Sequence, residues 1–577
     1  MKDWVIAPAD ETLREEISRR LEISPVTAGV LLARGVKSAE DARKFLRPSL
    51  DDLADPKLLP DMEKAVDTIC RHARDGSRIV IYGDYDVDGL CSVTMLLQFL
   101  RLAGLDPTHF VPERGEEGYG VHSEVLRRLR AEGAGLVITV DCGISSVAET
   151  AVANEIGLEM VITDHHEPSK DLPAAAAVVD PKIPGSRYPF KELAGVGVAF
   201  KLVCALAERL SRDEKMDPQF SKFLVDSMAL VAMGTIADVV PLLNENRVFA
   251  RFGLDALRYC ELPGVQALMN QCRINDQNLQ AEAVSYKLGP RLNVAGRMAS
   301  ADLAMRLLMT DSYGEGDKIA RELEELNRER QRLQAEILET AHRKIEEEIG
   351  EDDRVLVLAQ ENWPPGIIGI VASHIVEDYY RPTIMLSLDG DLARGSARSI
   401  PGLNMVEALT AVGSRLTSFG GHAQAAGMRL KRENLDDFRK ELNAYAKTKI
   451  ALGDFKPKLA VDGEILLDSL SKGFVTELGR LSPFGQSAPE PVLVARNVML
   501  AGRARRVGTA GKHLAFYLTQ GGSAFRAIGF GLGEFAAKLP ANGTFHVAFT
   551  PVLDTYTGRG DIELRVKDID VGEGVGS

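Results

Sequence analysis

Three aspartates stand at alternate positions in the run Gly83-Asp84-Tyr85-Asp86-Val87-Asp88-Gly89. Carboxylates held that close repel one another, and only solvent or a cation relieves them. Taken alone, the run reads as a solvated acidic turn or as the start of an EF-hand loop. The EF-hand pattern breaks off, because no Glu stands at its twelfth place and an apolar segment begins at once. Further along come Asp141, the triplet Asp164-His165-His166, and Asp238. A lone Asp141 or Asp238 would read as a helix cap. Two adjacent histidines cannot both point the same way, so one can ligate while the other meets a substrate or a carboxylate. Together, several carboxylates with one or two imidazoles form a hard donor set suited to Mg2+ or Mn2+. So many carboxylates favour two ions about 3.5–4 Å apart, sharing an Asp and a water, which is chemistry for hydrolysing a phosphate ester.

The elements that must position these groups are legible around them. Residues 78–83 and 135–140 and the run LEMVIT (158–163) are β-rich, and each ends at one acidic or histidine cluster. The apolar segment 91–104 and a segment from about Ser146 read as the helices that follow. Strand–loop–helix alternation indicates a parallel sheet, and open α/β sheets place their sites at the C-terminal strand ends. Residues 1–75 read as short helices broken by Pro25, Pro48, Pro56 and Pro60, and 195–310 as mainly helical, with 226–240 an apolar helix turning at Asp238. Ser312 and Glu315 have capping-box spacing. Ile319, Leu323, Leu326, Leu333, Ile337, Ala341, Ile345 and Ile349 then keep helical periodicity up to Gly350. That predicts a helix of ~35 residues, ~50 Å long, read as a strut between domains, with a coiled-coil seam as the alternative. A second α/β segment follows over 351–452, and five or six short strands over 455–577 predict a small barrel or sandwich. The domains expected are therefore 1–75, 76–312, 313–350, 351–452 and 455–577.

The chain has 577 residues, 45% hydrophobic and 26% charged, which excludes wholesale disorder. Its net charge of −14 argues against a blanket nucleic-acid coat but leaves room for a local basic groove. Arg503, Arg505 and Arg506 concentrate positive charge in a C-terminal segment that is slightly basic overall. Six scattered cysteines form no CxxC pair, which fits a reducing cytoplasm. Neither a secretory signal nor a membrane span is expected. No G-x-S-x-G elbow and no P-loop is present, so serine catalysis and ATP-driven translocation are not indicated.

The order of the clusters resembles the DHH phosphoesterase superfamily, and within it the branch of single-stranded-DNA-specific exonucleases. The matching text is GDYDVDG (83–89), ITVDCGISS (138–146), VITDHHEP (161–168), PFKELAGVGVAFKL (189–202), MGTIADVVPL (233–242), GPRLNVAGRM (289–298) and GGHAQAAG (420–427). It spans about residues 40 to 570. The resemblance implies a DHH-type parallel-sheet core, a second α/β domain of the DHHA1 kind joined by the long helix, and a C-terminal OB-like barrel. It implies 5′→3′ hydrolysis of single-stranded DNA to 5′-mononucleotides with two divalent cations, Mn2+ or Mg2+, in DNA repair and recombination. By position, Asp86, Asp88, Asp141, His165 and Asp238 would be metal ligands, with Asp141 bridging. Asp84 would be a ligand or a partner of one, and His166 would face the substrate phosphate. Simpler members carry a His where this chain has Tyr82. Ser396, Arg398, His422, Gly420 and Gly421 would hold a phosphate, and Arg291, Arg297 and Arg114 are further candidates. Tyr119 would stack on a base, and Arg503, Arg505 and Arg506 would hold the strand. Partners would be single-stranded DNA at its 5′ end, a single-strand-binding protein and a RecQ-type helicase, for a cytoplasmic monomer. Two departures stand out. Trp363-Pro364-Pro365-Gly366 replaces the family's Trp-His-Pro-Gly, and PFGQSAPEP (483–491) lacks a Gly-Asn. The rival readings are a phosphodiesterase for short RNA or small nucleotides, and a non-catalytic scaffold.

Overall fold

The computed structural model describes residues 2–6, 10–113, 120–211, 215–276, 279–554 and 560–572. Strand β1 (Asp3–Ile6) precedes a set of short helices, several of them capped by Asp or Ser side chains, with Pro25 opening the helix Pro25–Ala33. The sequence reading has helices alone in this region. β1 is four residues long and pairs in parallel with a strand more than 450 residues away, so nothing local announces it.

The first sheet comprises β2 (Arg78–Gly83), β3 (Thr108–Phe110), β4 (Ala134–Val140), β5 (Glu159–Thr163) and β6 (Ala177–Val179). Its order is β3-β2-β4-β5-β6 and every pairing is parallel. β2, β4, β5 and β6 are nearly all buried, as unbroken apolar runs in a parallel sheet require, while the edge strand β3 is part-exposed. One face packs on the helices Met62–Arg74, Val87–Leu102 and Gly195–Leu210, and Pro218–Ala237 lies against the last two. The helix Pro218–Ala237 is long and apolar enough to cross a bilayer. It packs instead against its neighbouring helices, with residues 227–236 all buried.

The expected strut is the helix Tyr313–Glu348. Ser312 caps it by accepting from the Glu315 amide, while the Glu315 side chain turns to the Thr310 hydroxyl, so the box is half made. Ile319, Ala320 and Leu323 join the first core, whereas Ile337, Ala341 and Ile345 join a second one around Trp363 and Ile367. One stripe thus serves both neighbours.

The second sheet contains β7 (Leu356–Glu361), β8 (Thr383–Asp389), β9 (Leu392–Arg398), β10 (Leu416–Gly421) and β11 (Ala425–Lys431), in the order β10-β11-β9-β8-β7. Only β7–β8 is parallel. After β12 (Lys458–Val461) and β13 (Gly463–Glu464) come β14 (Leu493–Leu500), β15 (Arg505–Val507), β16 (His513–Gln520), β17 (Ser523–Gly529), β18 (Thr544–Leu553) and β19 (Ile562–Asp570). β14 pairs with β18, then β19, β17 and β16 follow, and β16 pairs back to β14. That ring is a closed five-stranded barrel.

Candidate metal centre and crevice

Asp84, Asp86 and Asp88 follow β2, Asp141 follows β4, and Asp164, His165 and His166 follow β5. Because β4 lies between β2 and β5, Asp141 sits in the middle of the three clusters. Asp238 arrives at the C-terminus of Pro218–Ala237. Three ligand sets share this spot: Asp84, Asp86 and Asp141; Asp88, His165 and Asp238; Asp141, His165 and His166. Within each, the donor atoms lie within 4.8 Å of one another. His165 Nε2 is 3.1 Å from Asp141 Oδ1, 3.6 Å from Asp238 Oδ2 and 3.9 Å from Asp88 Oδ2.

Local hydrogen bonds fix these side chains. Asp86 caps the helix Val87–Leu102, its Oδ1 accepting from the amides of Asp88 and Gly89. Asp88 accepts from the amides of Gly195 (2.7 Å) and Val196 (2.8 Å), at the positive N-terminal end of Gly195–Leu210. Asp141 has a left-handed backbone, φ 61°. Asp164 is a scaffold: Oδ2 accepts from the Ile144 amide, and Oδ1 from the amides of His165 and His166 and from His166 Nδ1 at 2.7 Å.

The charges are unbalanced without a cation. Burial, then Asp88 and Asp86, push the Asp141 carboxyl well above the usual range; the same causes raise Asp238, and burial with Asp86 raises Asp88. Burial and the neighbouring His166 push His165 down to about 3, leaving it a neutral imidazole. Its Nε2 and Asp141 Oδ1 are buried and make no hydrogen bond among the described residues. Two such acceptor atoms facing one another, ringed by carboxylates, fit hard divalent cations. His166 differs. Burial opposes its charge, but the hydrogen bond to Asp164 and that carboxylate's charge raise it to about 9.

The centre opens into a crevice of about 1400 Å3. One wall carries His165, His166, Lys182 and Arg297; the facing wall carries Arg394, Gly420, Gly421, His422 and Arg429. His422 is pushed down by burial, then by the charges of Arg398 and His166. Gly420 meets open space, while Gly421 is required by its hairpin, since at φ 143° a Cβ would lie 2.4 Å from Ala425 O. Ser396 and Arg398 do not themselves line the crevice, unlike Arg394 and Gly395 of the same strand; they bond to one another at 3.2 Å and pack over Gly369. Arg297 donates to Gly366 O, in the Pro364-Pro365-Gly366 stretch that also lines the crevice.

Some residues singled out by sequence lie elsewhere. Arg291 is turned to the strut, paired with Glu324 at 2.6 Å, and does not line the crevice. Tyr82 points its side chain away from the metal centre, donating to Gly120 O. Arg503, Arg505 and Arg506 are exposed at the barrel's β15 edge. Arg114 and Tyr119 lie outside the described residues. The sequence reading missed Gly195 and Gly234, where a Cβ would stand 2.6 Å from Asp141 Oδ1 and 2.7 Å from Asp88 Oδ1. Gly195 opens its helix and carried no signal; Gly234, inside its helix, is costly and needs a reason, but its sequence context does not say what it faces. Arg394 and Arg429 were also missed.

Comparison with known proteins agrees with this geometry. The profile of the DHH family, N-terminal domain, matches residues 78–235, that of the DHHA1 domain 352–448, and that of the RecJ OB domain 461–568. The single-stranded-DNA-specific exonuclease RecJ of Bacillus subtilis is 37% identical over 99% of this chain and 71% of its own. The Escherichia coli protein of that name is 34% identical over 94% of this chain and 95% of its own. The chain belongs to the RecJ family. A crystal structure of RecJ in complex with Mn2+ from Thermus thermophilus matches it with a TM-score of 0.84 at 30% identity, over 99% of this chain and 80% of that one. The RecJ architecture therefore accounts for both α/β units and the barrel.

Proposed function

We propose that the chain is a metal-dependent exonuclease that hydrolyses single-stranded DNA from its 5′ end to 5′-mononucleotides. The observation that carries the reading is the pair of buried, hydrogen-bond-free acceptors, Asp141 Oδ1 and His165 Nε2, 3.1 Å apart among acidic side chains. Asp86, Asp88, Asp141, His165 and Asp238 would hold two divalent ions, Mn2+ or Mg2+, with Asp141 shared and Asp84 beside them. Bound there, such ions lower the pKa of a water and offset phosphate charge. The protein's own groups do the rest. Neutral His165 keeps a lone pair on Nε2. His166, fixed by Asp164, presents a cation to the phosphate. Arg297, Ser396, Arg398 and His422, with Gly420 and Gly421, hold the terminal phosphate across the crevice. The exposed arginines of β15 meet the downstream strand.

Relatives named single-stranded-DNA-specific exonucleases support the substrate. The closed barrel argues against a substrate of two or three nucleotides, which needs no remote strand contact, and the complete acidic set argues against a scaffold. A single-strand-binding protein, a RecQ-type helicase, a monomeric state and a cytoplasmic location belong to the same reading. The test uses end-labelled single- and double-stranded DNA with Mn2+. Mononucleotides released from the single strand alone, silenced by EDTA and by Asp141→Ala, are expected. Equal attack on duplex, or full activity of Asp141→Ala, would overturn the reading.

A further inference from the structure

The crevice wall built by β9, β11 and β10 carries more phosphate-binding chemistry than one terminal phosphate uses. Side chains alternate along a strand, so Arg394, Ser396 and Arg398 share one face of β9 at steps of about 6.7 Å. Register adds their neighbours. Arg394 lies opposite Arg429, Ser396 opposite Gly427, and Arg398 opposite Ala425; on the next strand Arg429 lies opposite Ser418, and Gly427 opposite Gly420. Three rows result. The row at Arg398 and His422 is the terminal-phosphate site of the reading above. The middle row is Ser396, Gly427 and Gly420, and a Cβ on either glycine would meet nothing within 4 Å. The far row is Arg394, Arg429 and Ser418, all three lining the crevice.

That far row is the unexplained feature. Like charges directly opposite on adjacent strands are destabilising. Other arginines of this domain have their partners: Arg415 has Glu441, Arg432 has Glu361, and Arg398 has Ser396. Arg394 and Arg429 have no carboxylate within 4.0 Å and no hydrogen-bond acceptor among the described residues. Two guanidiniums and a hydroxyl facing a crevice across a flat glycine window are complementary to a phosphate.

We propose that Arg394, Arg429 and Ser418 form a second phosphate subsite for the bound strand, two residues along β9 from Ser396. This rests on the reading that the crevice takes a nucleic-acid strand. The group bound is a strand phosphate other than the scissile one, either an internucleotide phosphate or an additional phosphate on the 5′ terminus.

The test compares the wild type with Arg394→Gln/Arg429→Gln. Wild-type hydrolysis of single-stranded DNA with Mn2+ is measured first, and its absence would sink the parent reading rather than this one. Affinity is then measured for oligonucleotides carrying one neutral methylphosphonate linkage at each position in turn, and for 5′-hydroxyl, 5′-monophosphate and 5′-triphosphate ends. The double variant should bind about tenfold more weakly, and its salt dependence should be shallower by about 0.7 in the log–log slope. One neutral linkage, or one class of 5′ end, should cost the wild type affinity and cost the variant nothing; which of them does so identifies the phosphate. Relief of the arginine repulsion should leave the variant's Tm without DNA equal or higher. Salt slopes that coincide, or phosphate substitutions that cost both proteins equally at every position, would overturn the subsite.

Discussion

Asp141 combines a left-handed backbone, full burial and a carboxyl raised by burial and four neighbouring aspartates. Asp88 is raised by burial and Asp86, and Asp238 by burial, Asp88 and Asp86. Their folded pKa values lie above the unfolded value of about 3.9. At these three sites the metal-free fold therefore binds more protons than the unfolded chain, and their contribution to stability falls as pH rises above about 4 towards the raised values, while neutral His165 acts oppositely below its unfolded value of about 6.5. Divalent ions compete with those protons, so the stabilisation they give should grow with pH. At about 100-fold excess over Kd the gain is about 2.7 kcal/mol. Thermal melts from pH 5 to 8, with Mn2+ and with EDTA, should diverge as pH rises; a gain independent of pH would contradict the charge account. At this scale the sequence displayed the ligand types but not their directions. Arg291 and Arg297 look equivalent in GPRLNVAGRM, yet six residues on a helix put them about 120° apart. One meets Glu324 and the other the crevice.

Elements bring the clusters together through two devices. Parallel strands deliver three clusters to one edge, and this was legible because buried parallel strands are continuous apolar runs. The second device is close helix approach, with Gly195 against Asp141 and Gly234 against Asp88. It was not legible, since nothing local says what a helical glycine faces. Gly195→Ala should displace the Asp141 carboxylate and weaken Mn2+ binding about tenfold or more, with helix content unchanged. Calorimetric titration and far-UV circular dichroism measure both, and an unaltered Mn2+ affinity would show that the contact is slack. The strut was legible from its periodicity, but β1 and β15 were not, being short strands specified by their partners.

The whole molecule is tied together far from the chemistry. Arg247, 2% exposed, donates to the carbonyls of Phe45, Leu481, Ser482 and Pro483, its guanidinium 3.8 Å from the centre of the Phe45 ring. It joins the N-terminal helices, the catalytic helices and the segment leading into the barrel. The Gly485–Ala488 turn, where the family text departs, docks nearby through the Leu242 amide and Gln486 O. Arg34 and Asp462, a buried ion pair at 2.6 Å, and Trp4 with Asp568 add further ties. Arg247→Met would leave buried carbonyls unpaired and should cost about 3 kcal/mol, read by urea unfolding, while Mn2+ affinity holds; a loss under about 1 kcal/mol would mean that water replaces the guanidinium. Such long-range pairs are invisible in sequence, because each partner alone is an ordinary surface residue type. The central claim, that these scattered acids and imidazoles converge to grip cations, is tested most directly by anomalous diffraction at the manganese edge from crystals soaked in Mn2+. Two peaks are expected, both in contact with the Asp141 carboxylate and one also with His165; no peak there, or peaks confined to surface acids, would contradict it.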